Sequence, residues 1–252
     1  MRKEGAELPK ELIQRNLEKY WTCQNGIRTL FKSGTRYGQE PYNEVVATAL
    51  HKRLLSPGEF VTYGLKGKGA TAWSFCVNFL NDEEEYVPAI YVMKHLRQQA
   101  NRSDFDHYLD CCEALGAGNA RESLERMIVC DDIIANSDRH YRNFGLIRNV
   151  ETGACHTAPL FDSGSSLWHD VPTENLSAGE HSFTSKQFYE SPAKQMLLVN
   201  DMTWFDEDAL DGFVDEAIDI LSKNDALSAR LPHIRSALEW RIERMKNIAR
   251  WD

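Results

Sequence analysis

The residues best placed to do chemistry lie in a polar segment between two apolar stretches. In DDIIANSDRHYRNFGLI (131–147), an amphipathic helical pattern ends in the polar run 136–140, and apolar residues resume at Phe144. A loop between a helix and a short strand is where a scaffold commonly displays reactive groups. Asp138 supplies a carboxylate that can accept a proton, and Asn143, five positions later, supplies a neutral oxygen for a hard cation. On this spacing alone a capped turn is the simpler interpretation, because Asp and Asn are common turn formers.

A second polar motif follows the next apolar run and changes that interpretation. The run APLF (158–161) ends in Asp-Ser-Gly at 162–164, and Asp162 lies nineteen residues after Asn143. Asp-x-Gly after a strand resembles the kinase D-F-G, whose Asp holds a metal ion, and the spacing from Asp138 to Asn143 is that of the kinase loop H-R-D-x-x-x-x-N. Phosphoryl transfer needs such a base and oxygen ligands for magnesium. Two motifs in this order predict a phosphoryl-transfer site.

The same chemistry requires a lysine on a strand and a helical glutamate that orients it. Lys32 follows the strand-like run GIRTLF (26–31), and Glu44 lies in the first turns of a helix predicted to start near Pro41. Taken alone, Lys32 would be an exposed lysine and Glu44 an acidic residue favoured by the helix dipole. As parts of an ordered set, the two are predicted to position phosphates.

The loop that would cradle phosphates is not evident from the sequence. The glycines of GLKGKGA (64–70) come after the predicted helix rather than before Lys32, so they predict a hairpin turn. Backbone N–H groups in a glycine-containing turn can bind anions, and either Asn25-Gly26 or the segment 33–38 could serve. No G-x-G-x-x-G precedes Lys32.

The elements that must position these residues change character near residue 100. Before it, short β-branched and aromatic runs predict strands, and residues 45–54 show helical spacing. After it, helical patterns dominate. The strand-like runs are 26–31, 60–65, 71–80 and 86–93, and the main helical runs are 123–136, 209–221 and 231–248.

This change predicts an α+β fold with two lobes. The smaller, strand-rich N-lobe is expected over residues 1–98, where it carries the phosphate-binding lysine. The larger, mostly helical C-lobe is expected over 99–252, where it carries the catalytic loop and the metal-binding aspartate. The linker should fall near 94–104, where the predicted strands stop.

Composition narrows the partners and the compartment. The 252 residues carry a formal charge of −9, which argues against non-specific nucleic-acid binding because that depends on clustered Lys and Arg. No apolar run is long enough to span a bilayer, so no membrane association is expected. The six cysteines are scattered, without disulfide-framework or zinc-ligand spacing, which favours reduced thiols in a cytoplasmic protein. Secretion as an effector and the oligomeric state are left open.

The motif NSDRHYRNFG (136–145), followed by PLFDSG (159–164), resembles the HipA-like serine/threonine kinase family. The resemblance is closest to compact members of the CtkA type. The N-x-D-R-H-x-x-N signature distinguishes that family from the H-R-D kinases. The residues around Lys32 and Glu44 match the family more loosely.

The resemblance implies a bilobal protein-kinase-like fold that binds ATP and Mg²⁺. It implies that Asp138 is the catalytic base, and that Asn143 and Asp162 are the metal ligands. It further implies that Lys32 holds ATP phosphates with support from Glu44. Finally, it places His140 near the nucleotide.

The leading hypothesis is therefore an ATP-dependent kinase that transfers the γ-phosphate to a Ser or Thr hydroxyl of a protein substrate. One alternative is a small-molecule phosphotransferase on the same fold, because aminoglycoside-type enzymes share the Asp and Asn chemistry. The other is a nucleotide-binding pseudokinase or scaffold. Retention of Lys32, Asp138, Asn143 and Asp162 together argues against the last alternative.

Overall fold

A computed structural model describes residues 17–176 and 182–250. The first part of the described chain forms an antiparallel four-stranded sheet with the strand order β1-β2-β4-β3. Its strands are β1 (Lys19–Gln24), β2 (Ile27–Lys32), β3 (Gly64–Lys66) and β4 (Trp73–Val77). Lys32 is the last residue of β2, so the sheet presents it at a strand end.

Two tight turns in this sheet depend on residues with positive φ. Asn25 (φ 51°) and Gly26 (φ 79°) join β1 to β2, and a two-residue hairpin of type I′ requires positive φ at both positions. The segment 64–70 leads from β3 into the connection to β4, with Gly67 at φ 83°. The predicted hairpin at this segment is confirmed.

One helix, α1 (Glu40–Leu54), interrupts the sheet between β2 and β3. Pro41 stands in its first turn, where a missing backbone N–H costs nothing. Most of its apolar residues are buried, with Val46 and Leu50 fully so, and the helix packs against β3, β4 and the later helix α6 (Phe213–Ser222). The helix predicted near Pro41 is confirmed.

A second sheet, of order β5-β6-β7, frames the loop that holds Asp138. Its antiparallel strands are β5 (Glu84–Pro88), β6 (Gly145–Asn149) and β7 (Cys155–Thr157). β5 comes from the first 98 residues of the chain and pairs with β6 from the remainder. The lobe boundary near residue 98 stays a prediction.

The strand predicted over 86–93 is correct only as far as Pro88. Residues Ala89–Val92 form a short helix, α2, instead. Ala89 and Val92 are buried while Tyr91 is exposed, so the apolar run follows helical rather than alternating periodicity. The backbone N–H of Ala89 donates to the carbonyl oxygen of Phe144 (2.8 Å), which fastens this turn to the residue before β6.

The rest of the described chain is mainly helical. Its helices are α3 (Asp104–Ala114), α4 (Ala120–Ile133), α5 (Pro192–Met196), α6 (Phe213–Ser222) and α7 (Leu231–Ala249). A continuous apolar core joins α1 to these helices, and α7 packs against both α4 and α6. Arg241 lies on α7 among apolar residues, is buried, and donates to the carbonyl oxygen of Asp132 (2.8 Å).

The architecture confirms the predicted α+β fold, with a strand-rich region followed by a helical one. Within residues 17–176 and 182–250, no helix combines the length and the apolar character that crossing a bilayer requires.

Candidate active site

Three separate elements converge on the ammonium group of Lys32. The group donates to Oε1 of Glu44 on α1 and to Oδ1 of Asp162 in the Asp-Ser-Gly loop, and it forms an ion pair with each carboxylate. It also lies 5.5 Å from the ring centroid of Tyr63. Lys32 and Glu44 are both buried. The structure therefore brings together three of the residues that the sequence predicts for phosphate and metal binding.

The charges in this cluster control one another. Burial alone would lower the pKa of Lys32, but the carboxylates of Glu44 and Asp162 raise it above the ordinary lysine value. Burial opposes ionisation of Asp162 too, yet the Lys32 ammonium holds the pKa of Asp162 below its usual range. Glu44 lies deepest, and burial raises its pKa despite the contact with Lys32. One ammonium is thus paired with two carboxylates, and it lowers the pKa of Asp162 below its usual range while burial keeps that of Glu44 raised.

The Asp-Ser-Gly loop is held in an uncommon backbone conformation. Asp162 has φ of 58°, which is rare for a residue with a side chain. Its backbone N–H donates to the Tyr63 hydroxyl (3.3 Å), and the N–H of Ser163 donates to Oε2 of Glu44 (3.0 Å). Gly164 lies so near α1 that a Cβ atom there would be 3.3 Å from both the Glu40 carbonyl and Glu44 Oε1. The glycine of the motif therefore allows the loop to approach the helix.

Two amides at the start of α1 fix the continuation of this loop. Asn43 donates from Nδ2 to the carbonyl oxygens of Gly164 (2.8 Å) and Ser166 (2.7 Å). Gln39 donates from Nε2 to the carbonyl oxygen of Leu167 (2.9 Å). Sequence reasoning missed both residues. The available signal was a pair of amides four positions apart on a helix start, immediately before the glutamate that pairs with Lys32.

Asp138 and Asn143 are hydrogen-bonded within one tight loop. Asn143 Nδ2 donates to the backbone carbonyl oxygen of Asp138 (3.1 Å), so the backbone of the predicted base orients the side chain of the predicted metal ligand. The Asp138 carboxylate is 35% exposed and accepts from the Lys186 ammonium at 2.6 Å. His140 Nε2 lies 4.0 Å from Asp138 Oδ2. The structure thus places His140 beside the predicted base.

Arg139 connects this loop to the Asp-Ser-Gly loop. Its fully buried guanidinium donates to Ser163 Oγ (2.9 Å), to the carbonyl oxygen of Asn143 (3.0 Å) and to that of Phe161. It also binds both carboxylate oxygens of Asp131, at 2.8 and 2.9 Å. Arg139 therefore links the backbone of Asn143 to the residues on either side of Asp162.

Asp131 is a second residue that sequence reasoning missed. Besides Arg139, it accepts from Asn136 Nδ2 (2.8 Å) and from Gln187 Nε2 (3.0 Å). Asn136 in turn accepts from the backbone N–H of Asp138 (3.1 Å). A buried carboxylate needs partners of this kind, because an unpaired one is very costly. The signal was an aspartate inside the apolar helical pattern that leads into the loop.

The oxygen donors near these loops suit a magnesium ion that arrives with phosphate. No described residue donates a hydrogen bond to Asn143 Oδ1 or to Asp162 Oδ2, so both oxygens are available. Mg²⁺ typically takes one or two protein oxygens and completes its shell with phosphate and water. In the described part of the chain, no group of three or more His, Cys, Asp or Glu side chains could hold a metal ion alone. The donor set fits a metal–nucleotide complex rather than a free-standing metal site.

The two candidate phosphate loops differ in their exposure and in whether their backbone N–H groups already donate hydrogen bonds. In the segment 33–38, the Thr35 N–H already donates to the Glu40 carboxylate (3.0 Å). The Asn25-Gly26 turn is exposed, and no atom outside its neighbours lies within 4 Å of where a Gly26 Cβ would be. Anion binding by either segment stays a prediction, and the turn at 25–26 has the more open surroundings.

Solved structures of known proteins share the fold of this chain, although its sequence matches no family model. No protein-family model matches the sequence, and no curated protein sequence matches it. The proinflammatory kinase CtkA of Helicobacter pylori is similar in structure, with a TM-score of 0.65 and 16% identity over 92% of this chain and 94% of that one. A chain of the HipA, HipB and operator DNA complex of the Shewanella oneidensis MR-1 toxin–antitoxin system has a TM-score of 0.55 and 12% identity, over 98% of this chain and 68% of that one. The fold expected from the HipA-like resemblance is confirmed.

Proposed function

We propose that this chain is an ATP- and magnesium-dependent kinase of the HipA-like type that phosphorylates Ser or Thr hydroxyls of a protein. One observation carries the proposal. Lys32 is held between Glu44 and Asp162, and Arg139 fastens that cluster to the loop of Asp138 and Asn143. A lysine–glutamate pair, a metal-binding aspartate and a base-containing loop are the parts that phosphoryl transfer by kinases requires.

Each residue has a distinct role in this proposal. Asn143 and Asp162 hold the magnesium ion, which would neutralise charge on the β- and γ-phosphates. Lys32 binds phosphate oxygens, and Glu44 keeps its ammonium in place. Asp138 orients the acceptor hydroxyl and receives its proton.

The accessibility of the base supports a large acceptor. The Asp138 carboxylate is partly exposed on its loop, so a hydroxyl presented by another protein can approach it. The six cysteines are all free thiols, as is usual for a protein that works in a reducing cytoplasm. These features support a cytoplasmic protein substrate.

The direct test is transfer of label from γ-labelled ATP with Mg²⁺, using autophosphorylation and a generic protein acceptor such as casein. The wild-type chain should label Ser and Thr, and Asp162→Ala should not. The matched control is Asp215→Asn, which removes one exposed carboxylate from a surface ion pair with Arg235.

Other outcomes would contradict the proposal. Label that appears only on a small molecule, such as an aminoglycoside, would indicate the small-molecule phosphotransferase. Binding of Mg·ATP without any transfer would indicate a pseudokinase. Full transfer by Asp162→Ala would remove the metal-ligand assignment.

A further inference from the structure

We propose that Lys186 is an additional catalytic residue, which binds the transferred phosphoryl group beside Asp138; this inference rests on the proposed kinase function. Lys186 lies between β7 and α5 in the sequence, far from the motifs that identify the site. Its Nζ lies 2.6 Å from Asp138 Oδ1. A kinase needs cationic charge near the γ-phosphate as well as near the α- and β-phosphates.

The backbone around Lys186 is anchored to the same residues that position the base. The next residue, Gln187, is buried and donates to Asp131, the carboxylate that also holds Arg139. Phe188 packs among aromatic rings, including that of Phe144, which follows the metal-ligand Asn143. Because residues 187 and 188 are fixed in this way, the fold places the Lys186 side chain beside Asp138.

The two buried cations described at the site, Lys32 and Arg139, already have hydrogen-bond partners for their charged groups. Lys32 is paired with Glu44 and Asp162, and each guanidinium nitrogen of Arg139 is bonded to a carboxylate, hydroxyl or carbonyl oxygen. The Lys186 side chain is 53% exposed, and within the described residues its ammonium has one partner, Asp138. An ammonium has three donors, so it can bind a carboxylate oxygen and phosphate oxygens together.

The location of Asp138 defines what Lys186 would contact. In the proposed reaction the acceptor oxygen forms a bond to the γ-phosphorus while the bond to the β–γ bridging oxygen breaks. ADP leaves with that electron pair, and the hydroxyl proton passes to Asp138. The γ-phosphoryl group therefore passes next to the Asp138 carboxylate. Lys186 keeps its proton and balances the negative charge of the phosphoryl oxygens.

Binding and turnover of Lys186→Met test this role separately. If Lys186 contacts the γ-phosphoryl group, its loss should weaken binding of a non-hydrolysable Mg·ATP analogue about tenfold, while the affinity for Mg·ADP stays unchanged. Single-turnover transfer should fall on the order of 10²-fold, as when one charge-stabilising donor is removed. Lys186→Arg should recover part of both. Lys223→Met is the matched control, because Lys223 is similarly exposed (56%) and paired with Asp219.

The outcomes separate this inference from the kinase proposal. A Lys186→Met protein with wild-type analogue affinity and rate would overturn the inference and leave the kinase proposal intact. A faster Lys186→Met protein would also overturn it, since Lys186 would then only block the base. If the wild type transfers no phosphate, the proposed function fails, and analogue binding still decides whether Lys186 senses the γ-phosphate. A wild type that binds neither nucleotide overturns both.

Discussion

Replacing Asp138 by Asn should separate catalysis from stability. The change preserves the shape of the side chain and removes its charge. Among the described residues, the carboxylate is partly exposed and its nearest ionic partner is the exposed Lys186. Exposed ion pairs contribute about 0–1 kcal/mol, so the free energy of unfolding should fall by no more than that. For a chain of this size, the melting temperature should then change by no more than about 4 °C.

The loss of activity should be far larger than the loss of stability. Removing the group that orients the hydroxyl and accepts its proton typically lowers the rate ~10²–10⁴-fold. Single-turnover transfer and thermal melting should be measured on the same preparation of Asp138→Asn. Nucleotide affinity should stay close to that of the wild type, because Asp138 is not among the proposed metal ligands.

The control for this experiment is Asp215→Asn. Asp215 is 77% exposed and pairs with Arg235 at 2.7 Å, so the variant loses a comparable surface ion pair outside the site. It should match the wild type in both measurements. An Asp138→Asn protein that transfers phosphate at the normal rate would refute the assignment. So would one whose activity is lost only in proportion to unfolded protein, because Asp138 would then be a structural turn residue.

Three further changes test the buried charges. Lys32→Met should abolish transfer and destabilise the fold by about 3–5 kcal/mol at pH 7, because the buried Glu44 carboxylate and the partly exposed Asp162 carboxylate lose their cation. Adding Glu44→Gln removes the buried charge only, so it should restore part of the stability but not activity, as denaturant unfolding and label transfer would show. Arg139→Met should lower the free energy of unfolding by a similar amount, because the Asp131 carboxylate loses its cation. The protein that remains folded should also be less active than the wild type. His51 is buried, and burial lowers its pKa to about 3, so the native state excludes a proton that the unfolded chain binds below about pH 6.5. This group should therefore lower the free energy of unfolding by about 2 kcal/mol between pH 7 and pH 5. Urea titrations at the two pH values should show that His51→Leu removes this part of the decline.

The parts of the site that the sequence predicts are those with a local pattern. The helix at Pro41 shows helical spacing of apolar residues, and Asp138, Asn143 and Asp162 stand in short motifs with fixed separations. Such patterns arise because neighbouring residues share one helix face or one loop. The pairing of Lys32 with Glu44 followed from their order along the chain and from the chemistry that a phosphate site requires.

The parts that the sequence does not predict are side chains that bond to remote backbone. Asn43 and Gln39 bind carbonyl oxygens 121 to 128 positions away, and any residue can supply a carbonyl oxygen. Lys186 contacts Asp138 across 48 positions, outside any motif. The sequence predicts a strand at Ala89, where the structure has a helical turn, because a short apolar run has no clear period until burial is known.

The ion pairs of the site indicate how it would accept a metal-bound nucleotide. Asp162 is paired with Lys32, and Asp138 with Lys186, so each carboxylate of the proposed reaction is neutralised by a lysine. If Asp162 bound a divalent cation in place of Lys32, the ammonium would keep Glu44 as a partner and could bind phosphate oxygens in place of Asp162. A metal ion alone would leave Lys32 with Glu44 as its single carboxylate, and a nucleotide alone would leave Asp162 without a cation. Since isolated charges are costly in a buried cluster, each exchange depends on the other, and metal and nucleotide are expected to enter this site together.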